Sequence, residues 1–141
     1  MSRRRQQHEK GMMMIEVLVG ILVFSIGILA MLGMQTMAMR ASIDSKYRAE
    51  AGFLANEILG VMWGDPANLT SYANPGTCAA TNRCNTWLTR VADTLPGGIA
   101  PTITVAGATN RQVEVIVQWQ GPGQASPSNH TTVAQIYRAT D

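Results

Sequence analysis

The sequence is short of most of what an enzyme or a nucleic-acid-binding domain is built from. Its 141 residues include two histidines, two cysteines and only 14% charged side chains. His8 sits in a basic N-terminal stretch, leaving His130 as the one imidazole base further on. A lone histidine in a turn-rich region is far more often a solvated residue than a catalyst. No glycine-rich phosphate loop, metal-ligand set or nucleophile elbow is present, so no catalytic residue, metal or cofactor is expected. Charge is scarce and unevenly placed. Arg3, Arg4, Arg5 and Lys10 against Glu9 give the first eleven residues +3, whereas seven basic and seven acidic side chains from Arg40 onward cancel. Phosphate binding needs cations clustered on a folded surface, so a nucleic-acid partner is not expected. The positive charge reads as topological, marking the end of the chain that stays in the cytoplasm.

Two cysteines, Cys78 and Cys84, stand in a segment of Asn, Thr, Ala and Gly. Free cysteines tend to be buried, and this polar stretch does not look buried. Two ligands with no histidine spacing around them are a poor zinc site. A Cys78–Cys84 disulfide is the preferred reading, which implies an oxidising compartment such as the bacterial periplasm. Closing so short a loop contributes roughly 2 to 2.5 kcal/mol in the chain-entropy model.

What the chain does have is one long apolar block. Apolar residues make up 46% of the sequence, and a large share lies between Met12 and Met39. No residue from Val17 to Met39 carries a charge. A helix crossing the hydrocarbon core needs about 20 such residues. With three arginines before it and Arg40 after it, the block reads as a single span with its N-terminus inside. A cleavable secretory signal would share the basic start, and Thr36-Met37-Ala38 loosely resembles its cleavage site. The apolar run is longer than an ordinary signal, however, and Glu16 at its start has no purpose there. A plain membrane anchor leaves Glu16 unexplained too. An ionised carboxylate costs on the order of 2.5 to 3.5 kcal/mol near a bilayer centre and normally has a partner.

The segment Lys10-Gly11-Met12-Met13-Met14-Ile15-Glu16-Val17-Leu18-Val19 resembles the type IV prepilin motif. In that family a short basic leader ends in glycine, a prepilin peptidase cuts after it, and the new N-terminus is methylated. The resemblance makes residues 1–11 the leader, Gly11 its last residue, Met12 the new N-terminus and Glu16 the fifth-position carboxylate. It implies that Glu16 neutralises the N-terminal amine of a neighbouring subunit. Each charge is costly alone in an apolar interior and tolerable when matched, so the pair acts as a register device. The family usually begins its mature chain with phenylalanine, where this sequence has Met12. The proline found in the middle of many such helices is missing; Gly20, Gly27 and Gly33 are the weak points instead. The run Phe24 to Gln35 is similar to the helix of the PilV-type minor pilins, or type IV pilus modification proteins. Trp87, Leu95-Pro96-Gly97-Gly98 and Val113 to Trp119 follow the same pattern.

Beyond Met39 the helix is predicted to continue. Ile43, Tyr47, Ala51, Leu54, Ile58 and Val61 with Met62 form an apolar stripe at helical spacing. Arg40-Asp44-Arg48 and Lys46-Glu50 form a solvated charged face of helix-neighbour pairs. Gly64-Asp65-Pro66 ends the helix. From Met12 to Trp63 it would run about 78 Å at 1.5 Å per residue, half in lipid and half as the spine of a head. Asp65 to Asn85 reads as a loop. Thr86 is placed as the cap of a short helix presenting Trp87, Leu88, Val91 and Leu95. Strands are predicted at Thr102–Val105, Gln112–Gln120 and Thr131–Arg138, with Gly121–Asn129 as a turn-rich loop. Val113, Val115, Val117 and Trp119 share one face of the second strand. Three consecutive strands suggest an antiparallel meander packed on the helix's second half.

The expected fold is therefore α+β and type IV pilin-like. Residues 1–11 are a leader, 12–39 a transmembrane and filament-core half-helix, and 40–141 a periplasmic head. The expected function is that of a minor pilin that helps to initiate, assemble or modify a type IV pilus by helix packing. Its expected partners are other major and minor pilins, the prepilin peptidase, the inner-membrane assembly platform and the membrane itself. The chain is expected in the bacterial inner membrane with its head in the periplasm, and then in the pilus. A minor pseudopilin of a type II secretion system shares the N-terminal logic. An unprocessed, membrane-anchored periplasmic binding protein is the alternative from another class.

Overall fold

The computed structural model describes residues 3–80, 82–106 and 111–137, with side chains from Met12 onward except at 79, 80 and 82. One long helix, α1 (Arg3–Trp63), is followed by two short 3-10 turns (Leu69–Tyr72 and Thr77–Ala80) and a second helix, α2 (Asn82–Thr94). Three strands complete the fold: β1 (Thr102–Ala106), β2 (Gln112–Trp119) and β3 (Ser128–Gln135). They form one antiparallel sheet in the order β1-β2-β3. The fold is thus α+β. The chain divides into two compact units, Met1–Ser42 and Ile43–Asp141.

The second unit holds the core. Ala51, Leu54, Ala55, Ile58, Leu59 and Met62 of α1 are buried at three- and four-residue spacing, against Val113, Val115, Val117 and Trp119 of β2. The stripe differs from the expected one at its margins. Ile43 is 49% exposed, Tyr47 and Val61 are half-buried, and Ala55 and Leu59 take the central places. Small side chains such as Ala51 and Ala55 let a sheet approach a helix closely. Of the expected charge pairs, Asp44–Arg48 forms at 3.0 Å, while Arg40 and Lys46 make no ion pair among the described residues. The charged face is not wholly solvated, because Asp44 is half-buried. Helix α1 stops at Trp63, where the Gly64 and Asp65 amides donate to the Val61 and Met62 carbonyls.

Three expectations need correction. Helix α2 begins at Asn82, so Thr86 lies inside it and not at its start. Cys84 therefore belongs to its buried face with Trp87 and Val91, and Leu95, just past its end, is buried too. The third strand is Ser128–Gln135, drawn upstream by an unbroken pairing from Trp119↔Ser128 to Gln112↔Gln135. Its predicted end, Arg138, lies outside the described residues. The segment Asp65–Asn85 is not a plain loop, since Leu69 and Tyr72 are buried in the core.

Helix α2 is fastened to α1 by polar contacts as well as packing. The buried Trp87 Nε1 donates to the Leu54 carbonyl at 2.9 Å, and Arg90 pairs with Glu57. The turn after α2 is pinned to the end of β2, where the Gln120 amide donates to the Pro96 carbonyl at 3.0 Å. Gly97 has a φ of 101° there, and a Cβ would stand 2.9 Å from the Gln120 nitrogen, so only glycine fits without displacement. On the outer side of β1, Asn74 exchanges backbone hydrogen bonds with Ile103, at 3.0 and 2.9 Å. Its side-chain amide donates to the Pro101 carbonyl, and the Asn74–Pro75 peptide is cis.

Tyr72 gives the head an alkaline limit. Burial pushes its phenol above the ordinary value; Asp65 adds to this through its charge and by accepting the hydroxyl's hydrogen bond at 3.2 Å, and Arg83 opposes it. A raised folded-state value favours the neutral phenol in the fold. Its stabilisation is fully present below the unfolded value of about 10 and is lost as pH rises through the higher folded value. Urea midpoints should therefore fall as pH rises above about 10, and Tyr72→Phe should flatten part of that fall.

Candidate functional site

The candidate site is the apolar stretch of α1 in the first unit. Among the described residues, Met12–Trp63 is the one helical stretch long and apolar enough to cross a membrane, and none of its most apolar window is buried. A core helix of a soluble domain would bury that window. Here every residue from Met12 to Met39 is exposed, from Met12 at 70% onward. A helix satisfies its own backbone in hydrocarbon. Its hydroxyls are satisfied locally too: Ser25 donates to the Ile21 carbonyl at 2.7 Å and Thr36 to the Gly33 carbonyl at 2.8 Å. Neither therefore presents an unpaired donor to lipid. Gly20, Gly27 and Gly33 have open space where a side chain would be.

Glu16 is the exception on this surface. It is exposed and makes no hydrogen bond or ion pair among the described residues, in the first part of an otherwise apolar stretch. Met12 and Glu16 lie four residues apart on one helix, hence on the same side one turn from each other. Gly11 lies within α1 immediately before them.

The cysteines are joined. Cys78 in the second 3-10 turn and Cys84 in α2 form a disulfide, with Cα atoms 5.2 Å apart. Their burial was not legible from the polar sequence around them, since both are fully inaccessible and belong to the core. The bond is the local one expected, closing a short segment, and it ties the turn to α2 inside the core although the surrounding sequence is polar. Alkylation must be done in denaturant, because burial alone would protect free thiols. Neither cysteine should be labelled in denaturant without reductant, and both after reduction; labelling before reduction would refute the bond in the native protein.

His130 does not sit in a solvated loop. It lies in β3, half-buried, with its ring over Gly52 of α1 and its Nε2 3.1 Å from the Thr132 hydroxyl. A hollow of about 190 Å³ between α2 and Gly98–Pro101 is lined by Asn74, Leu88, Ala92 and that segment, with no acid, base or nucleophile. No group of three or more metal-ligating side chains occurs among the described residues. Trp87 and Trp119 are core residues, whereas Trp63 is exposed. The site residues expected from the sequence thus fall in two places, Gly11, Met12 and Glu16 within α1 and the Cys78–Cys84 disulfide in the second unit.

Fold and site together define a class: an α+β head carried on a helix that can cross a membrane. Compared with known proteins, the chain matches no family model, no curated protein and no solved structure.

Proposed function

We propose that this chain is a minor pilin of a type IV pilus system, made as a membrane-anchored precursor and assembled through its N-terminal helix. The observation that carries the reading is a wholly exposed apolar helical surface bearing one unpaired carboxylate, Glu16, five residues after a Lys-Gly junction. A surface of this kind needs an apolar surrounding for its length and a cation for its carboxylate. The membrane supplies the first before assembly, and the helices of other pilins supply it afterwards. The cation is the amine created at Met12 of a neighbour when a prepilin peptidase cuts after Gly11. The basic leader keeps residues 1–11 in the cytoplasm, which puts the head and its disulfide in the periplasm. A pilin-like fold fits the order of one long helix and then a three-stranded meander. In this reading the chain works by contact with other major and minor pilins and with the inner-membrane assembly platform.

N-terminal mass spectrometry of the protein from its native membrane tests this directly. A mature chain beginning at Met12 supports the reading, while an intact N-terminus excludes it in favour of an unprocessed anchor. Replacing Gly11 with a bulky residue should leave the full-length precursor in the inner membrane. Mature protein of normal length from such a variant would sink the assignment. A type II secretion pseudopilin would pass both tests; deletion strains separate the two by losing secretion in one case and surface pili in the other.

A further inference from the structure

Methionine is distributed along the apolar stretch of α1 in a way that apolarity does not require. Met12, Met13 and Met14 open the stretch, and Met31, Met34, Met37 and Met39 close it. The middle, residues 15–30, holds none and draws its large apolar side chains from valine, leucine, isoleucine and Phe24. Over residues 31–39, by contrast, Leu32 is the only large apolar residue that is not methionine. Leucine and methionine are about equal in helix propensity, so local structure does not call for the difference. What methionine alone brings is a thioether that an oxidant converts to a polar, chiral sulfoxide and a reductase restores. The seven side chains are between 63% and 75% exposed, whereas Met62 is fully buried in the core of the head.

Their placement decides what oxidation does to the span. At 1.5 Å per residue, residues 12–39 run about 42 Å, more than the ~30 Å of a hydrocarbon core. With both ends oxidised the apolar run contracts to residues 15–30, about 24 Å, which falls short. In a bilayer the ends of the stretch lie nearest water, so a water-borne oxidant reaches them first.

We propose that the methionines at the two ends of this stretch are sites of reversible sulfoxidation by a hydroperoxide, which sets the length of the apolar span and hence the hold of the membrane on the chain. The inference rests on the membrane-anchored part of the proposed reading and on neither cleavage nor assembly. At each site the thioether sulfur attacks a peroxide oxygen. An S–O bond forms, the O–O bond breaks, and the sulfur gives up two electrons. The departing hydroxide takes the proton of the transferred oxygen and leaves as water. A sulfoxide reductase reverses the step with two electrons from a dithiol, releasing water and a disulfide.

The test treats the full-length protein in detergent with dilute hydrogen peroxide and then removes the detergent in the presence of phosphatidylcholine. Peptide mass spectrometry should show one added oxygen at each of the seven methionines and none at Met62. Untreated protein should float with the vesicles and resist alkaline carbonate, and oxidised protein should lose that resistance. Treatment with the two sulfoxide reductases, one for each epimer, before detergent removal should restore it. A variant carrying Met13→Leu, Met14→Leu, Met31→Leu, Met34→Leu, Met37→Leu and Met39→Leu keeps the apolar length without those thioethers. Its flotation should survive the same dose; if it does not insert even untreated, the reductase arm still decides. Oxidised native protein that stays resistant to carbonate overturns the proposal, and is the result expected if methionine serves only adaptable packing. Loss of flotation by the oxidised leucine variant, no recovery with the reductases, or oxidation of Met62 as fast as the other seven also overturns it. Untreated protein that never floats would instead overturn the membrane span itself, so failure here and failure of the proposed reading are distinguishable.

Discussion

On the proposed pilin reading, Glu16→Ala is expected to insert into the membrane, to be cut after Gly11 and to fail at assembly. Insertion should become easier, because the change removes the one charge from the start of an apolar helix. Cleavage should persist, because Gly11 and Met12 are untouched. Assembly loses the counter-charge for the neighbour's N-terminal amine. Removing one member of a buried ion pair typically costs about 3 to 5 kcal/mol, which lowers association more than a hundredfold. Glu16→Asp should fall between, since the shorter arm keeps the charge and misses the geometry. For a minor subunit the readout is fewer surface pili, or altered export of other minor pilins. Insertion, cleavage and piliation are to be assayed in the same strain. Normal piliation by Glu16→Ala, where deletion of the whole protein abolishes it, would refute charge pairing.

Trp119→Ala should produce the largest loss of stability in the head. Trp119 is fully buried at the end of β2, and truncating a buried tryptophan typically costs about 3 to 5 kcal/mol. Domains of this size have about 5 to 15 kcal/mol in total, so the thermal midpoint should drop by more than about 12 °C. Trp119→Phe should be much milder than its lost volume suggests. The Trp119 Nε1 is buried with no hydrogen-bond partner among the described residues, a burden of about 1 to 3 kcal/mol that a phenyl ring lacks. Trp87→Phe lacks this compensation, because the Trp87 Nε1 has the Leu54 carbonyl. The expected order of stability is therefore Trp119→Phe above Trp87→Phe above Trp119→Ala. Thermal or urea unfolding of the three variants checks it, and Trp119→Phe proving the less stable phenylalanine variant would refute the argument.

How much of this fold was legible depended on how strongly each segment declares its period. Strand β2 was read correctly because Val113, Val115, Val117 and Trp119 alternate with polar residues and all four are buried. The end of α1 was marked by Gly64-Asp65-Pro66. Strand β3 was misplaced because Ser128-Asn129-His130 carries no hydrophobic alternation; its register is inherited from β2 through backbone pairing. The start of α2 was hidden in Asn82-Arg83-Cys84, which looks like loop until the disulfide puts Cys84 in the core. Tyr72 and Leu69 were missed for a similar reason, being isolated apolar residues in a polar stretch. Ala55 and Leu59 were missed at the centre of the stripe, beside Leu54 and Ile58, while Ile43 at its margin was overcounted. The roles proposed for Gly11, Met12 and Glu16 come from the prepilin-like motif, and the structure adds that Glu16 is exposed on α1 with no partner among the described residues. On the proposed reading, the cation that Glu16 needs belongs to another chain, and one chain holds only half of the pair.

The fastening of α2 to α1 has a mechanical consequence. Residues Ala51–Met62 lie along the core, with the Trp87–Leu54 hydrogen bond and the Arg90–Glu57 pair beside them. A pull along this part of α1 loads those contacts in shear, so they must give way together. A pull away from the sheet would peel them one turn at a time. Resistance to forced unfolding follows the unfolding barrier, which is raised when many contacts break in one step. The head is therefore expected to resist tension along this part of α1 better than a pull that lifts the helix from the sheet.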